Sequence, residues 1–159
     1  MRSMMAVVIM FLSGCTSNNI TNIDGAGNWK YVTNINGVSG AKMAALASSR
    51  PTVGGVISVL RMPPEDREVD LVDTKITVAS ESRIVFAAQF PKYGQCKPML
   101  NVNGDEYSPD LKEVDGMCRY VIDDSRATHI AKQLLEPGVV MVNNVAFDPS
   151  GFSSVWPRL

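Results

Sequence analysis

Hydrophobic and polar positions alternate along much of the chain. Trp29, Tyr31, Thr33 and Ile35 occupy one face of a period-two run and Lys30, Val32 and Asn34 the other, with Asn36-Gly37 behind them as a turn signal. This predicts the first strand. Ala41 to Ser48 carries alanines that suit a helix, but its shortness and the flanking Gly40 and Pro51 favour a return strand. The β-branched run from Val53 to Arg61 predicts the next strand, with Gly54-Gly55 as a bend or bulge at its start. Met62 to Glu68 contains Pro63-Pro64, which cannot donate to a ladder, and charges that need water, so an exposed loop is expected there. Val72, Thr74, Ile76 and Val78 then alternate with Asp73, Lys75 and Thr77, and Ile84, Phe86, Ala88 and Phe90 with Arg83, Val85 and Gln89. The short polar stretch from Ala79 to Ser82 between them predicts an antiparallel hairpin.

Further on, Met99-Leu100-Asn101-Val102 leads into Asn103-Gly104, the preferred pair for a type I′ turn because both central residues need positive φ. A return through Tyr107 and a polar excursion from Pro109 to Gly116 precede a strand from Cys118 to Ile122. Ala127, Ile130, Ala131 and Leu134 then recur at helical spacing, with Arg126, His129 and Gln133 opposite. Asp123-Asp124-Ser125 supplies capping groups and Pro137-Gly138 a stop, which predicts a helix over about 124–136. Val139 to Val142 reads as an interior strand running on to Phe147, Asp148-Pro149-Ser150-Gly151 as a type I turn, and Phe152 to Trp156 as a last strand. The expected fold is mainly β: an antiparallel β-sandwich or an α+β sheet with one helix in the C-terminal half, forming one globular domain over residues 28–159.

The start of the chain follows another pattern. Arg2 precedes an apolar run from Met4 to Leu12, about nine residues long and so roughly half of the ~20 that a spanning helix needs. Small residues and Cys15 follow. Leu12-Ser13-Gly14-Cys15 resembles the lipobox of bacterial prolipoproteins, a likeness confined to the leader. It implies that residues 1–14 are a signal peptide, that the Cys15 thiol receives diacylglycerol, and that cleavage and acylation then free and modify the new amino terminus. In most such proteins of Gram-negative bacteria an Asp after the cysteine retains the product at the inner membrane. Thr16 stands there, so the resemblance implies a lipid anchor in the outer membrane with the domain facing the periplasm. Two or three acyl chains hold a protein stably where one does not. Residues 15–27 are polar and glycine-punctuated, and are expected to form a flexible tether.

That address changes the reading of the cysteines. Of three in the chain, lipidation of Cys15 leaves Cys96 and Cys118, an even pair in an oxidising compartment, and one disulfide is expected between them. The net charge of −1 supplies no basic field for nucleic acid. Two cysteines and a single histidine lack the close ligand spacing of a zinc motif, and no cofactor is implied.

Catalytic chemistry has little to build on. His129 is the only imidazole and lies on the polar side of the predicted helix with no nucleophile fixed beside it. Asp123 and Asp124 are adjacent, so they point apart, and capping accounts for them. No phosphate-cradling glycine loop or nucleophile elbow occurs. Ser125-Arg126-Ala127, Ile130, Leu134-Leu135 and Gly138-Val139 resemble the helix of peptidoglycan-binding domains of the outer-membrane-protein-A class, which would make Asp124 and Arg126 ligand contacts, although that family's upstream aspartate, glycine and asparagine pattern is absent. Tyr93, Tyr107 and Trp156 are the candidate exposed aromatics for a ligand or glycan. The expectation is a non-enzymatic envelope lipoprotein with a protein partner in an envelope, secretion or surface-exclusion assembly; the alternative is a periplasmic ligand- or peptidoglycan-binding module.

Overall fold

The computed structural model describes residues 19–35, 40–50, 52–64, 66–79, 81–123 and 125–159, and among these described residues there are thirteen strands and two short helices. The leader, Cys15, Thr16, the Asn36-Gly37 turn and Asp124 lie outside the described residues. In chain order the strands are β1 (Asn19–Thr21), β2 (Lys30–Thr33), β3 (Lys42–Ala47), β4 (Val56–Met62), β5 (Asp66–Leu71), β6 (Thr74–Ala79), β7 (Arg83–Pro91), β8 (Leu100–Val102), β9 (Asp105–Tyr107), β10 (Asp110–Val114) and β11 (Met117–Ile122). Helix α1 (Ser125–Leu134), β12 (Val140–Val142), β13 (Val145–Phe147), α2 (Phe152–Val155) and a 3₁₀ turn (Trp156–Arg158) complete the chain. A seven-stranded antiparallel sheet has the order β1-β2-β3-β4-β7-β11-β10, and a four-stranded sheet the order β13-β12-β8-β9. The mainly β, sandwich-like architecture with a helix in the C-terminal half is the one expected.

The large sheet buries side chains on both faces. Tyr31, Leu46, Ile57, Val59, Phe86 and Tyr120 join the main core, together with Ala127, Ile130, Ala131 and Leu134 of α1 and Leu100, Val102, Val142 and Phe147 of the small sheet. On the other face Val32, Met43, Ala45 and Val56 form a second cluster. Ile35 joins that cluster instead of the Trp29 face, because Asn34 at φ 55 breaks the alternation of the strand.

Several local expectations change. The predicted hairpin of residues 72–78 with 84–90 does not form: β6 pairs with β5, and β7 lies between β4 and β11. Register explains the difference. Met62 pairs with Arg83 and Asp66 with Ala79, four residues on along each strand, so residues 56–89 make one hairpin of constant stagger that turns at Val72-Asp73. The supposed loop over 62–68 is the crossing point, where Pro63 and Pro64 bring no N–H and the outer half separates from the sheet as a two-stranded arm. The polar excursion over 109–116 is an edge strand, β10, joined to β11 through Asp115 and Gly116, both at positive φ. The expected tether over 15–27 is folded from Asn19, since β1 pairs with β2 and Ala26 is buried.

The run from Val139 to Phe147 is also broken, at Asn143-Asn144, into the hairpin β12–β13. It faces the β8–β9 hairpin with matched contacts: the Asn103 N–H donates to the Met141 carbonyl (2.9 Å) and the Met141 N–H to Asn103 Oδ1 (2.8 Å). Reciprocally, the Asn143 N–H donates to the Asn101 carbonyl (2.9 Å) and the Asn101 N–H to Asn143 Oδ1 (2.8 Å). The two asparagines take φ 49 and 46, a conformation their short amide tolerates.

Phe152 to Trp156 is helical instead of a strand. Gly151, at φ 92, turns the chain so that Phe152 and Val155 face the core. The same glycine crosses the N-terminal segment so tightly that a Cβ there would lie 2.3 Å from the Ala26 carbonyl carbon. Around this crossing the buried Trp29 Nε1–H donates to the Pro149 carbonyl (3.0 Å), and the Trp29 ring tilts against Phe152 at 4.8 Å. Gly151→Ala is expected to cost at least about 2 kcal/mol more in urea denaturation than Gly94→Ala, which has the same sign of φ but open space around its Cβ. Equal losses would show that the backbone crossing carries no special weight.

Candidate functional site

A concavity of about 190 Å³ lies at the end of the large sheet where β7 gives way to the loop over 92–99. That loop is pinned on both sides of its tip. The Lys92 N–H donates to the Gly116 carbonyl (2.9 Å) and the Lys92 ammonium meets Glu113 at 2.8 Å. Beyond the tip, Cys96 is disulfide-bonded to Cys118 on β11, as expected from the cysteine count, with Cα atoms 5.7 Å apart. The Tyr120 hydroxyl donates to the Lys97 carbonyl (2.9 Å). Between these pins Tyr93 stands 77 % exposed. An aromatic held in water by a tied loop has lost conformational entropy without gaining burial, an arrangement suited to a binding contact.

Three other elements complete the cleft. Phe90 forms its floor, edge-on to Tyr120 and Phe147 with ring centres 6.1 and 6.3 Å away. Phe90 can lie there because Gly55, at φ 117, has no Cβ; one would meet the ring at 2.9 Å. Val53, 40 % exposed in the β3–β4 loop, and Asn143 with Val145 from the β12–β13 hairpin form opposing walls. The surface is thus apolar with a few polar edges. Burial pushes the Tyr120 phenol up. Burial likewise raises Tyr31 and Tyr107.

The residues singled out from sequence are scattered. His129 is exposed on α1. Asp123 pairs with Arg83 at 3.1 Å, both side chains about half in water. Arg126 donates to the Ser108 carbonyl (3.0 Å), which ties α1 to the β9–β10 connection; its proposed companion Asp124 lies outside the described residues. Of the three aromatics, Tyr107 is buried and Trp156 is partly buried against Phe152 at 5.7 Å, which leaves Tyr93 in the solvent. Val53, Phe90, Tyr120 and Asn143 were not singled out for function, because each belongs to a separate element and only the fold collects them. Two buried polar side chains on the opposite sheet face were also missed: Ser58 Oγ and Gln89 Oε1 find no hydrogen-bond partner among the described residues.

Among the described residues, no three His, Cys, Asp or Glu side chains are grouped to hold a metal, and no helix is long and apolar enough to cross a membrane. No protein-family model matches the chain, and no curated protein or solved structure matches it either.

Replacing both Cys96 and Cys118 by Ser is expected to lower stability by about 3 kcal/mol, the chain-entropy value for a loop of this size, read from the urea midpoint. The raised tyrosines give a second expectation. Their folded form holds the phenolic proton past the pH at which the unfolded chain, with pKa about 10, releases it, so their contribution is complete below about pH 10 and declines as pH rises through the folded values. The alkaline fall in the urea midpoint should therefore be shallower in Tyr120→Phe than in the parent protein.

Proposed function

We propose that this protein is a non-enzymatic envelope lipoprotein, anchored through Cys15 in the outer membrane, whose cleft beside Tyr93 receives a segment of a partner protein in an envelope, secretion or surface-exclusion assembly. The observation that carries this reading is the exposed Tyr93 on a doubly pinned loop beside an apolar hollow. The hollow's volume of about 190 Å³ is below the ~300–1,000 Å³ of sites that enclose a small molecule, which favours insertion of side chains from a larger partner. The lipobox resemblance supports the anchor, and the Cys96–Cys118 bridge supports a compartment outside the reducing cytosol. A peptidoglycan site at Arg126 has weaker support, since that guanidinium is already engaged by the Ser108 carbonyl.

Metabolic labelling with an alkyne fatty acid tests the anchor: the parent protein should be labelled and Cys15→Ser should not, with the variant misprocessed or released from membranes. Membrane retention without label in the parent would refute it. For the cleft, a photo-crosslinker placed at Tyr93 or Val53 in cells should give the same protein adduct from both positions and none from Lys132 on α1. Adducts that are equal at all three positions, or absent from both cleft positions, would overturn the docking role.

A further inference from the structure

Strand polarity identifies the end of the sheet from which the chain enters. Asn19 pairs with Thr33, Thr33 with Lys42, Lys42 with Arg61 and Arg61 with Ile84, which makes one row across β1, β2, β3, β4 and β7. The chain before Asn19 therefore approaches from the end of that row, and the β5–β6 arm departs from the same end, past Met62 and Arg83. The cleft beside Tyr93 lies at the other end, where β7 finishes at Pro91.

The lengths are informative. From Cys15 to Asn19 the chain advances four residues, which span at most about 14 Å when fully extended. Each arm strand has six residues and so is roughly 20 Å long. A lipid attached at Cys15 thus holds the domain on a leash shorter than the arm. At the arm's tip, between the paired Leu71 and Thr74, stands Val72, an apolar residue with complete exposure (101 %). Among the described residues, neither arm strand pairs with any strand but the other.

We propose that the tip of the β5–β6 arm, at Val72, touches the lipid surface and, with the acyl chains on Cys15, fixes the orientation of the domain on the membrane. This rests on the lipid-anchor reading. The contact is shallow: Asp66, Glu68, Asp70 and Asp73 outnumber Arg67 and Lys75 along the arm, and charge is not carried into hydrocarbon without a large desolvation penalty. The arm orients; the acyl chains anchor. Two attachment points instead of one also hold the cleft end outward, away from the bilayer.

The cysteine chemistry offers a clean probe. With Cys15 acylated and Cys96 bridged to Cys118, Val72→Cys carries a single free thiol, and Lys132→Cys on α1 provides the control. Each is labelled with an environment-sensitive fluorophore in the full lipidated protein and reconstituted into phosphatidylcholine vesicles; acylation is verified by mass. The expected result is a blue-shifted emission at position 72 and at least a twofold lower quenching by aqueous iodide than at position 132. Equal quenching at the two positions in verified lipoprotein would overturn the arm contact while leaving the anchor intact. Absence of any acyl mass would remove the anchor and the contact together. Shielding at 72 that persists without vesicles in the non-acylated Cys15→Ser background would mean that protein covers the tip, and would overturn the lipid assignment.

Discussion

The constant register between β4 and β7 is the constraint on which the rest of the structure depends. Both strands are buried on both faces: Ile57, Val59, Phe86 and Ala88 point into the main core, while Val56 and Ala87 are buried on the opposite side. A slip of one residue would exchange those two sets, sending Phe86 to the face that holds Ala87 and leaving a void beneath α1. Because this cost is felt on two sides at once, the stagger is fixed along the whole of residues 56–89. Each end of the ribbon then does something different. At one end the ladder outlasts the sheet and becomes the arm, and at the other Gly55 lets Phe90 lie flat as the floor of the cleft.

This dependence explains what could be read in advance. Helix α1 was legible because Ala127, Ile130, Ala131 and Leu134 all face one core, so its period is visible within a single segment. Asn103-Gly104 was legible because its turn chemistry is local. The arm was not. Asp66 to Leu71 has the composition of a solvated loop, and the polar residues 79–82 look like a turn; only the pairing of β4 with β7, about twenty residues on, in the same register as β5 with β6 shows that they lie along the length of a hairpin. The Asn143-Asn144 turn was hidden inside an apolar run, and its meaning comes from the partner hairpin whose Asn101 and Asn103 complete the exchanged hydrogen bonds. The final helix is a single turn, too short for periodicity to distinguish from a strand. Its conformation is set by Gly151, whose need for a positive φ and a bare Cα arises from the crossing with Ala26.

The site divides in the same way. Tyr93 was identifiable as a candidate because an aromatic in a Pro- and Gly-rich stretch has no strand to bury it. What makes it more than an exposed ring is the pinning, and that comes from Glu113, Gly116, Cys118 and Tyr120, all on the β10–β11 hairpin. The cleft is assembled from distant parts of the chain, so the residues that line it carry no shared spacing. Arg126, placed by a resemblance in sequence, donates to the Ser108 carbonyl in the connection that leads to β10, a contact that the sequence did not indicate.

The two ends of the ribbon also give the proposed orientation its physical content. Asn19 lies level with Ile84 of β7, and from there to Phe90 on the floor of the cleft is six residues, about 20 Å at ~3.3 Å each. Flexible linkers normally let an anchored domain sample all orientations, so that a binding surface faces the bilayer much of the time. On the lipid-anchor reading, Cys15 lies four residues before the paired Asn19, a leash of at most about 14 Å that is shorter than the distance from Ile84 to Phe90. So anchored, the domain would have to pull β1 from β2 to bring its far end fully down to the lipid, breaking the pairing of Asn19 with Thr33 and Ile20 with Val32. In the proposed orientation the shortness of the connection and the polarity of β1 act together: the edge strand that begins the sheet would direct Tyr93 and its cleft away from the membrane surface.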